Sequence, residues 1–210
     1  MASVELSSFA NISIPVHQKV LAIMASISRA CDLYFEDKNI KAKVVSFGGY
    51  IRDMIAGKIQ LAESIVDVDT WILLSKRPGY TSLSLTGAKL FFVALAENLK
   101  KDHTVACNVM VLDDQLHNTP NYGVLKMLID GIRFDIGTDI NNNFSFAKLS
   151  DYTVNNLYMD ISGKINLRVP SSHGVGECIC DIYERQLIRV IDTHVSEQRE
   201  AKMLEKGYHF

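Results

Sequence analysis

The stretch that most constrains the fold of this chain is residues 46–69, with the sequence SFGGYIRDMIAGKIQLAESIVDVD. The β-branched run at residues 44–47 stops at Gly48 and Gly49, which predicts a strand that ends in a tight turn. After the glycines, apolar residues recur at helical spacing as far as Gly57, a residue type that commonly follows the end of a helix. The two glycines are therefore predicted where a strand passes into a helix.

Glycines at the start of a helix can bind an anion. The first backbone amides of a helix lack partners within it, and glycine lets such amides approach a phosphate closely. The alternative is a structural turn that needs glycine only for its positive φ. The Gly48-Gly49 pair alone does not distinguish a phosphate site from such a turn.

Two aspartates follow in a second strand-like run, residues 66–74, with the sequence VDVDTWILL. Asp67 and Asp69 alternate with Val68, so both carboxylates are predicted on one face of the strand. Neighbouring carboxylates repel each other, and oxygen ligands at this spacing suit Mg²⁺ when substrate phosphates complete its coordination. The alternative is the solvent-facing side of an edge strand.

The remaining patterns predict a chain that mixes helices and strands. Apolar residues recur at helical spacing over residues 16–34 and 87–101, and they alternate as in a strand over residues 104–112. A charged helical pattern occupies residues 192–210. These elements are compatible with helices packed on a sheet.

A β-hairpin is predicted over residues 123–136, because strand-like runs flank Asp130-Gly131, a pair that suits a type I′ turn. The second strand of this hairpin carries Asp135 between apolar neighbours. A lone carboxylate in the centre of a strand is unfavourable without a partner. Asp135 is therefore either a functional carboxylate or an exposed residue of an edge strand.

Composition limits the classes of function. At 210 residues and 48% apolar content, the chain can bury the core of one large domain. The formal net charge of −2 argues against a surface that is basic throughout, so a nucleic-acid contact would use a local patch. We find neither a signal-peptide pattern nor an apolar run long enough to span a bilayer, and we therefore expect a cytoplasmic protein without a membrane partner.

Two segments together resemble a known family signature. Residues 48–57, GGYIRDMIAG, followed by Asp67-Val68-Asp69, resemble the GGxVRDxLxG…DxD signature of nucleotidyltransferases. This family includes bacterial-type poly(A) polymerases and CCA-adding enzymes and belongs to the DNA polymerase beta superfamily. The composite of the two segments is more specific than either segment alone.

Further motifs of the same family follow in the expected order. Residues 151–157, DYTVNNL, are similar to its RRDFTINAL motif, and residues 160–165, DISGKI, resemble its D-x-x-G-x-I hairpin. The chain departs from the family pattern at Leu149 and Ser150, which stand where the family has two arginines. The resemblance covers about residues 44–208 and ends where the family's body and tail would follow.

The resemblance implies an α/β (α+β) fold, in which a palm-like, mixed and largely antiparallel sheet is flanked by helices and followed by a short helical C-terminus. It implies a palm or head domain over residues 1–170. Residues 171–210 would form a short helical, neck-like extension packed on that head. A homodimer or a partner subunit would then supply acceptor binding.

The resemblance also implies the site residues. Asp67, Asp69 and Asp135 would be the catalytic carboxylates and would hold two Mg²⁺ or Mn²⁺ ions, with an NTP, in particular ATP, as substrate. Arg52 could face the nucleotide or could instead pair with Asp53 to fix the helix. The nucleotide-binding residues implied by the motifs are Gly48, Gly49, Arg52, Asp53, Asp151 and Asn155.

Three functions remain open. The first is non-templated transfer of a nucleoside monophosphate to an RNA 3′ end, as in a poly(A) polymerase. The second is the same transfer to a protein or to a small molecule, which the acidic composition favours slightly. The third is a non-catalytic subunit or scaffold, which the missing arginines favour and the three carboxylates oppose.

Overall fold

The computed structural model describes residues 4–5, 15–59, 61, 65, 67–76, 83–112, 122–140, 150–190 and 195–210. Leu149 and the first residues of the pattern at 192–210 lie outside the described residues. The described helices are α1 (Pro15–Phe35), α2 (Gly49–Ile55), α3 (Leu85–Asp102), α4 (Val175–Glu184) and α5 (Glu197–Glu205). The described strands are β1 (Val4–Glu5), β2 (Ile40–Phe47), β3 (Val68–Lys76), β4 (Val105–Leu112), β5 (Tyr122–Ile129), β6 (Ile132–Asp139), β7 (Leu157–Asp160) and β8 (Lys164–Leu167).

The described strands form one sheet of eight, in the order β1-β8-β7-β2-β3-β6-β5-β4. Among them, β3 and β6 run parallel, and the other neighbouring strands run antiparallel. The register of the parallel pair places Asp69 opposite Asp135. The predicted fold class, a mixed and largely antiparallel sheet flanked by helices, is confirmed.

The two faces of the sheet have different roles. Val68 and Ile72 of β3 belong to the main core, which also contains buried side chains of α1 and α3. Because successive residues of a strand point to opposite faces, Asp69 and Trp71 lie on the other face, where Trp71 packs with Phe47. The face covered by α1 and α3 thus holds the core, and the opposite face is available to bind a ligand.

Local patterns predicted most elements correctly. The amphipathic helices at residues 16–34 and 87–101 are confirmed as α1 and α3. The hairpin turn is also confirmed, since Asp130 and Gly131 have φ angles of +49° and +83°, both positive as a type I′ turn requires. No helix within the described ranges is long and apolar enough to cross a bilayer.

The start of β2 was predicted too late. The pattern placed it at residue 44, whereas the strand begins at Ile40. Residues 40–43 alternate between half-buried and exposed side chains, and Ile40 and Ala42 pack against the core while lysines point outward. The charged residues between them hid this alternation, which is typical of a strand with one solvated face.

Candidate active site

Three carboxylates meet on the open face of the sheet. Asp69 lies in β3, Asp135 lies in β6, and Asp67 directly precedes β3. Each offers one carboxylate oxygen, and these oxygens all lie within 4.8 Å of one another. The parallel pairing of β3 with β6 brings the first two together, and the alternation along the chain adds the third. The three predicted catalytic residues therefore form one cluster.

The glycine turn lies directly against this cluster. Gly48 has a φ of +70°, and a Cβ atom at this position would lie 2.8 Å from Oδ2 of Asp69. Both the backbone conformation and the close approach require glycine here. Gly49 begins α2 and, like Gly48, lines the cavity above the carboxylates.

The carboxylate cluster is electrostatically unfavourable without a cation. Burial, followed by the charges of Asp67 and Asp135, raises the pKa of Asp69 to about 6, although Arg168 and Arg199 act in the opposite direction. A bound cation would stabilise the ionised form of this carboxyl.

Asp135 has one oxygen available for a ligand. Its Oδ2 lies 3.1 Å from Nζ of Lys126, which stands opposite it on β5. Its Oδ1 is buried and has no hydrogen-bond partner among the described residues. Clustered carboxylate oxygens with unused acceptor capacity fit a hard divalent cation such as Mg²⁺ or Mn²⁺.

The other predicted site residues form a hydrogen-bonded network. Arg52 donates to both carboxylate oxygens of Asp53, at 3.1 and 3.2 Å. Nη1 of Arg52 donates to Oδ1 of Asn155 at 2.8 Å, and Nδ2 of Asn155 donates to Oδ1 of Asp151 at 2.7 Å. Arg199 of α5 is the last member of the network, and its Nε donates to Oδ2 of Asp151 at 2.5 Å. The network joins α2 to α5.

Of the two roles that the motif left open for Arg52, the structure contains the pairing with Asp53. The guanidinium of Arg52 is only 1% exposed, and it pairs with Asp53. Arg52, Asp151 and Asn155 all line the large cavity, whereas Asp53 lines a smaller one beside it. A direct contact of these four residues with a nucleotide stays a prediction.

A cavity of about 640 Å³ connects these features, and it has a basic side that the motifs did not predict. Arg168 follows β8 and lies over the ring of Phe47, with its Cζ 4.5 Å from the ring centroid. Burial lowers the pKa of Arg168 to about 9, although Asp151 and Asp69 favour its charge. The other basic residues that line the cavity outside the predicted set are Arg199, Lys202 and Lys206.

Part of the cavity floor is aromatic. Trp71 packs against Phe47 and Tyr122, with ring centroids 6.3 and 5.6 Å away. Gly137 of β6 makes room for the indole, since a Cβ atom there would lie 2.4 Å from Cε3 of Trp71. A flat aromatic surface next to clustered carboxylates is suited to stack a planar ring system.

Comparison with known proteins identifies the fold. No protein-family model matches the sequence, and no curated protein matches it. The structure of a CCA-adding enzyme in its apo form II aligns with a TM-score of 0.51 and 15% identity, over 99% of this chain and 49% of that one. The chain has the fold of the aligned half of a CCA-adding enzyme.

Two further CCA-adding enzyme structures align with similar coverage. The enzyme from Thermotoga maritima, complexed with tRNA, gives a TM-score of 0.48 at 15% identity over 99% of this chain and 47% of that one. A CCA-adding enzyme in complex with ATP gives 0.49 at 16% identity over 99% of this chain and 46% of that one. This chain thus spans about half the length of the CCA-adding enzymes that it matches.

Proposed function

We propose that this protein is a divalent-cation-dependent nucleotidyltransferase that transfers a nucleoside monophosphate from an NTP, in particular ATP, to the 3′ end of an RNA. The observation that carries this proposal is the carboxylate cluster of Asp67, Asp69 and Asp135 beneath a cavity with basic residues on its wall. The fold shared with CCA-adding enzymes supports the same chemistry and an RNA acceptor. The form of the reaction that we propose is transfer without a template, as in a poly(A) polymerase.

In the proposed reaction, the acceptor hydroxyl loses its proton to solvent and its oxygen bonds to the α-phosphorus. The bond between the α-phosphorus and the oxygen that bridges to the β-phosphate breaks, and pyrophosphate leaves. Asp67, Asp69 and Asp135 would hold Mg²⁺ or Mn²⁺, which when bound neutralises phosphate charge and acts as a Lewis acid. The turn at Gly48 and Gly49 lets the phosphates lie close to the backbone. The carboxylates and the glycine turn would act mainly by positioning the substrate and by stabilising the charge of its phosphates.

The basic and aromatic residues of the cavity would complete the substrate site. Arg168 and Arg199 line the cavity and supply positive charge to it, although neither belongs to the motif in which the family has its arginine pair. Trp71 and Tyr122 offer a surface on which a base can stack.

We further propose that residues 1–170 act as the head and residues 171–210 as an extension packed on it, which is supported by the contact between Arg199 and Asp151.

A non-catalytic role is less well supported. Burial and the charges of Asp67 and Asp135 raise the pKa of Asp69, so the cluster is unfavourable in the absence of a cation. A scaffold that has lost its chemistry gains nothing from this repulsion. The two roles predict different results, because a non-catalytic scaffold would transfer no labelled nucleotide to any acceptor.

A labelling assay tests the proposal. The purified protein, Mg²⁺ and each labelled NTP are incubated with RNA, and separately with a cell lysate that contains protein and small-molecule acceptors. We expect RNA to be lengthened, with ATP as the preferred substrate. The variant Asp135→Asn should lower the rate by roughly three orders of magnitude, since cation-based charge stabilisation supplies several kcal/mol.

The variant Asp32→Asn is the matched control, because Asp32 is an exposed carboxylate of α1. It should label RNA at the wild-type rate. Labelled protein or small molecule in place of RNA would redirect the proposal to another acceptor. No labelled product from a folded protein would refute nucleotidyl transfer.

A further inference from the structure

A smaller cavity of about 260 Å³ extends the large one past the glycine turn. The two cavities share four lining residues, which are Gly49, Asp67, Lys202 and Lys206. These four residues form the boundary between the two cavities. On one side of this boundary lie the glycine turn and one carboxylate of the cluster. The other side is formed by lysines of the C-terminal helix.

Lys202 and Lys206 are spaced to act together. They lie four residues apart, at the end of α5 and directly after it, so their side chains share one face of the helix. The burial of the neighbouring Met203 fixes this helix in position, since its Sδ lies 3.9 Å from Nη1 of Arg52. The two ammonium groups are thus carried by a fixed element.

The arginines near this boundary are paired with carboxylates, whereas its two lysines make no ion pair among the described residues. Arg52 is paired with Asp53, and Arg199 is paired with Asp151. Within the described part of the chain, neither lysine side chain makes an ion pair or a hydrogen bond. Partial burial, followed by the charge of Arg52, lowers the pKa of Lys206, and Asp53 opposes this only in part. Cations held together in this way are stabilised by an anion.

The chemistry of the boundary selects the kind of anion. An NTP whose α-phosphate reacts at Asp69 and Asp135 must extend its remaining phosphates away from the acceptor. The smaller cavity beside Gly49 and Asp67 is the adjoining space. Lysine is a common ligand for phosphate, as a compact charge on a flexible stem.

We propose that Lys202 and Lys206 form a polyphosphate subsite that binds the β- and γ-phosphates of the substrate and then the released pyrophosphate. This inference rests on the proposed function, since it assigns the end of the substrate that leaves. It makes α5, which lies outside the motif segments at residues 48–69 and 151–165, part of substrate selection. A nucleoside triphosphate is favoured over a monophosphate through this subsite.

Calorimetric titration with inorganic tripolyphosphate tests the subsite. The full chain is titrated at fixed ionic strength in excess Mg²⁺, so that no base, sugar or acceptor contributes. We expect the double variant Lys202→Ala/Lys206→Ala to bind about 10- to 100-fold more weakly than the wild type, which corresponds to two charge-assisted hydrogen bonds. The variant Lys202→Arg/Lys206→Arg should restore most of the affinity.

The control double variant is Lys89→Ala/Lys164→Ala, since both lysines are exposed and line neither cavity. It should bind tripolyphosphate as the wild type does. Equal binding by the Lys202/Lys206 alanine variant, or no binding by the wild type, would overturn the inference. Lysine-dependent binding by a protein that labels no acceptor would instead contradict the proposed function and leave the subsite intact.

Discussion

Asp69 is the residue at which function and stability oppose each other. Burial, followed by the charges of the neighbouring Asp67 and Asp135, raises the pKa of its carboxyl to about 6 from an ordinary value of 3.8. The ionised form is therefore less favourable in the folded protein than in the unfolded chain. A bound cation would offset the repulsion between the carboxylates. Without a cation, this repulsion lowers the free energy of unfolding.

We expect Asp69→Asn to stabilise the cation-free protein. A carboxyl whose pKa is raised on folding lowers stability as the pH rises from about 4 through 6, and the loss is complete above the folded pKa. In EDTA at pH 7, the free energy of unfolding should rise by on the order of 2 kcal/mol. Near pH 4 the difference should disappear, because Asp69 is then largely protonated.

Urea unfolding at both pH values measures this change. Asp32→Asn serves as the exposed control and should leave the free energy of unfolding unchanged at either pH. A variant less stable than the wild type at pH 7 would show that the neighbouring arginines outweigh the carboxylate repulsion.

Gly48 is required for two separable reasons, its positive φ and its contact with Asp69. Gly131 also has a positive φ, of +83°, but a Cβ atom there would meet nothing within 4 Å. Alanine at either position costs on the order of 1–3 kcal/mol, because a positive φ is a sparsely populated conformation for a residue with a Cβ atom. We expect Gly48→Ala to cost at least about 1 kcal/mol more, because Oδ2 of Asp69 must move.

Thermal unfolding of the two alanine variants measures this difference, and titration with Mn²⁺ measures its consequence for the site. Gly48→Ala should weaken Mn²⁺ binding, and Gly131→Ala should not. Equal losses of stability with unchanged Mn²⁺ binding would mean that the contact with Asp69 is easily relaxed.

At the scale of elements, α5 is attached through one buried side chain and a polar network. Met203 is 0% exposed, and its Sδ lies 3.9 Å from Nη1 of Arg52 and 4.0 Å from Nδ2 of Asn155. The ring of Tyr208 lies 5.7 Å from Cζ of Arg52. The helix that lines the cavity is thus anchored on the residues that hold α2 in place.

We expect Met203→Ala to destabilise the protein by about 2–5 kcal/mol, because it leaves a cavity at a fully buried position. Leu204→Ala is the matched control, since Leu204 is 45% exposed on the same helix and should cost much less. Chemical denaturation monitored by circular dichroism compares the two. A small effect of Met203→Ala would show that α5 contributes little to the stability of the folded chain.

At the scale of the whole molecule, the site depends on sheet topology. Asp69 and Asp135 are 66 residues apart in the chain (135 − 69), and they are neighbours only because β6 pairs in parallel with β3. α3 and the strands β4 and β5 lie between them along the chain. A cation bound by both carboxylates would therefore stabilise the packing of the entire sheet.

We expect Mg²⁺ or Mn²⁺ to raise the Tm of the wild type by several degrees. A ligand that binds only the folded state stabilises it by about 2.7 kcal/mol at a hundredfold excess over its Kd. Asp135→Asn should show little of this shift. Differential scanning calorimetry with each cation, against EDTA and KCl at equal ionic strength, measures it. An equal shift in both proteins would place cation binding elsewhere.

The sequence alone determined the features that depend on neighbouring residues. The helical period predicted α1 and α3, and the Asp130-Gly131 pair predicted a turn with two positive φ angles. The Gly48-Gly49 turn and the one-face placement of the aspartates were predicted in the same way. Such features follow from local backbone geometry and side-chain periodicity.

The tertiary structure decided which distant residues meet. The pairing of Asp135 with Asp69 follows from strand order and register, which local patterns leave open and which only the family resemblance had implied. The approach of Arg168, Arg199 and the α5 lysines to the cavity had no local signal. Their charges are typical of any solvated surface, and only the packing of the core determines which surface faces the carboxylates.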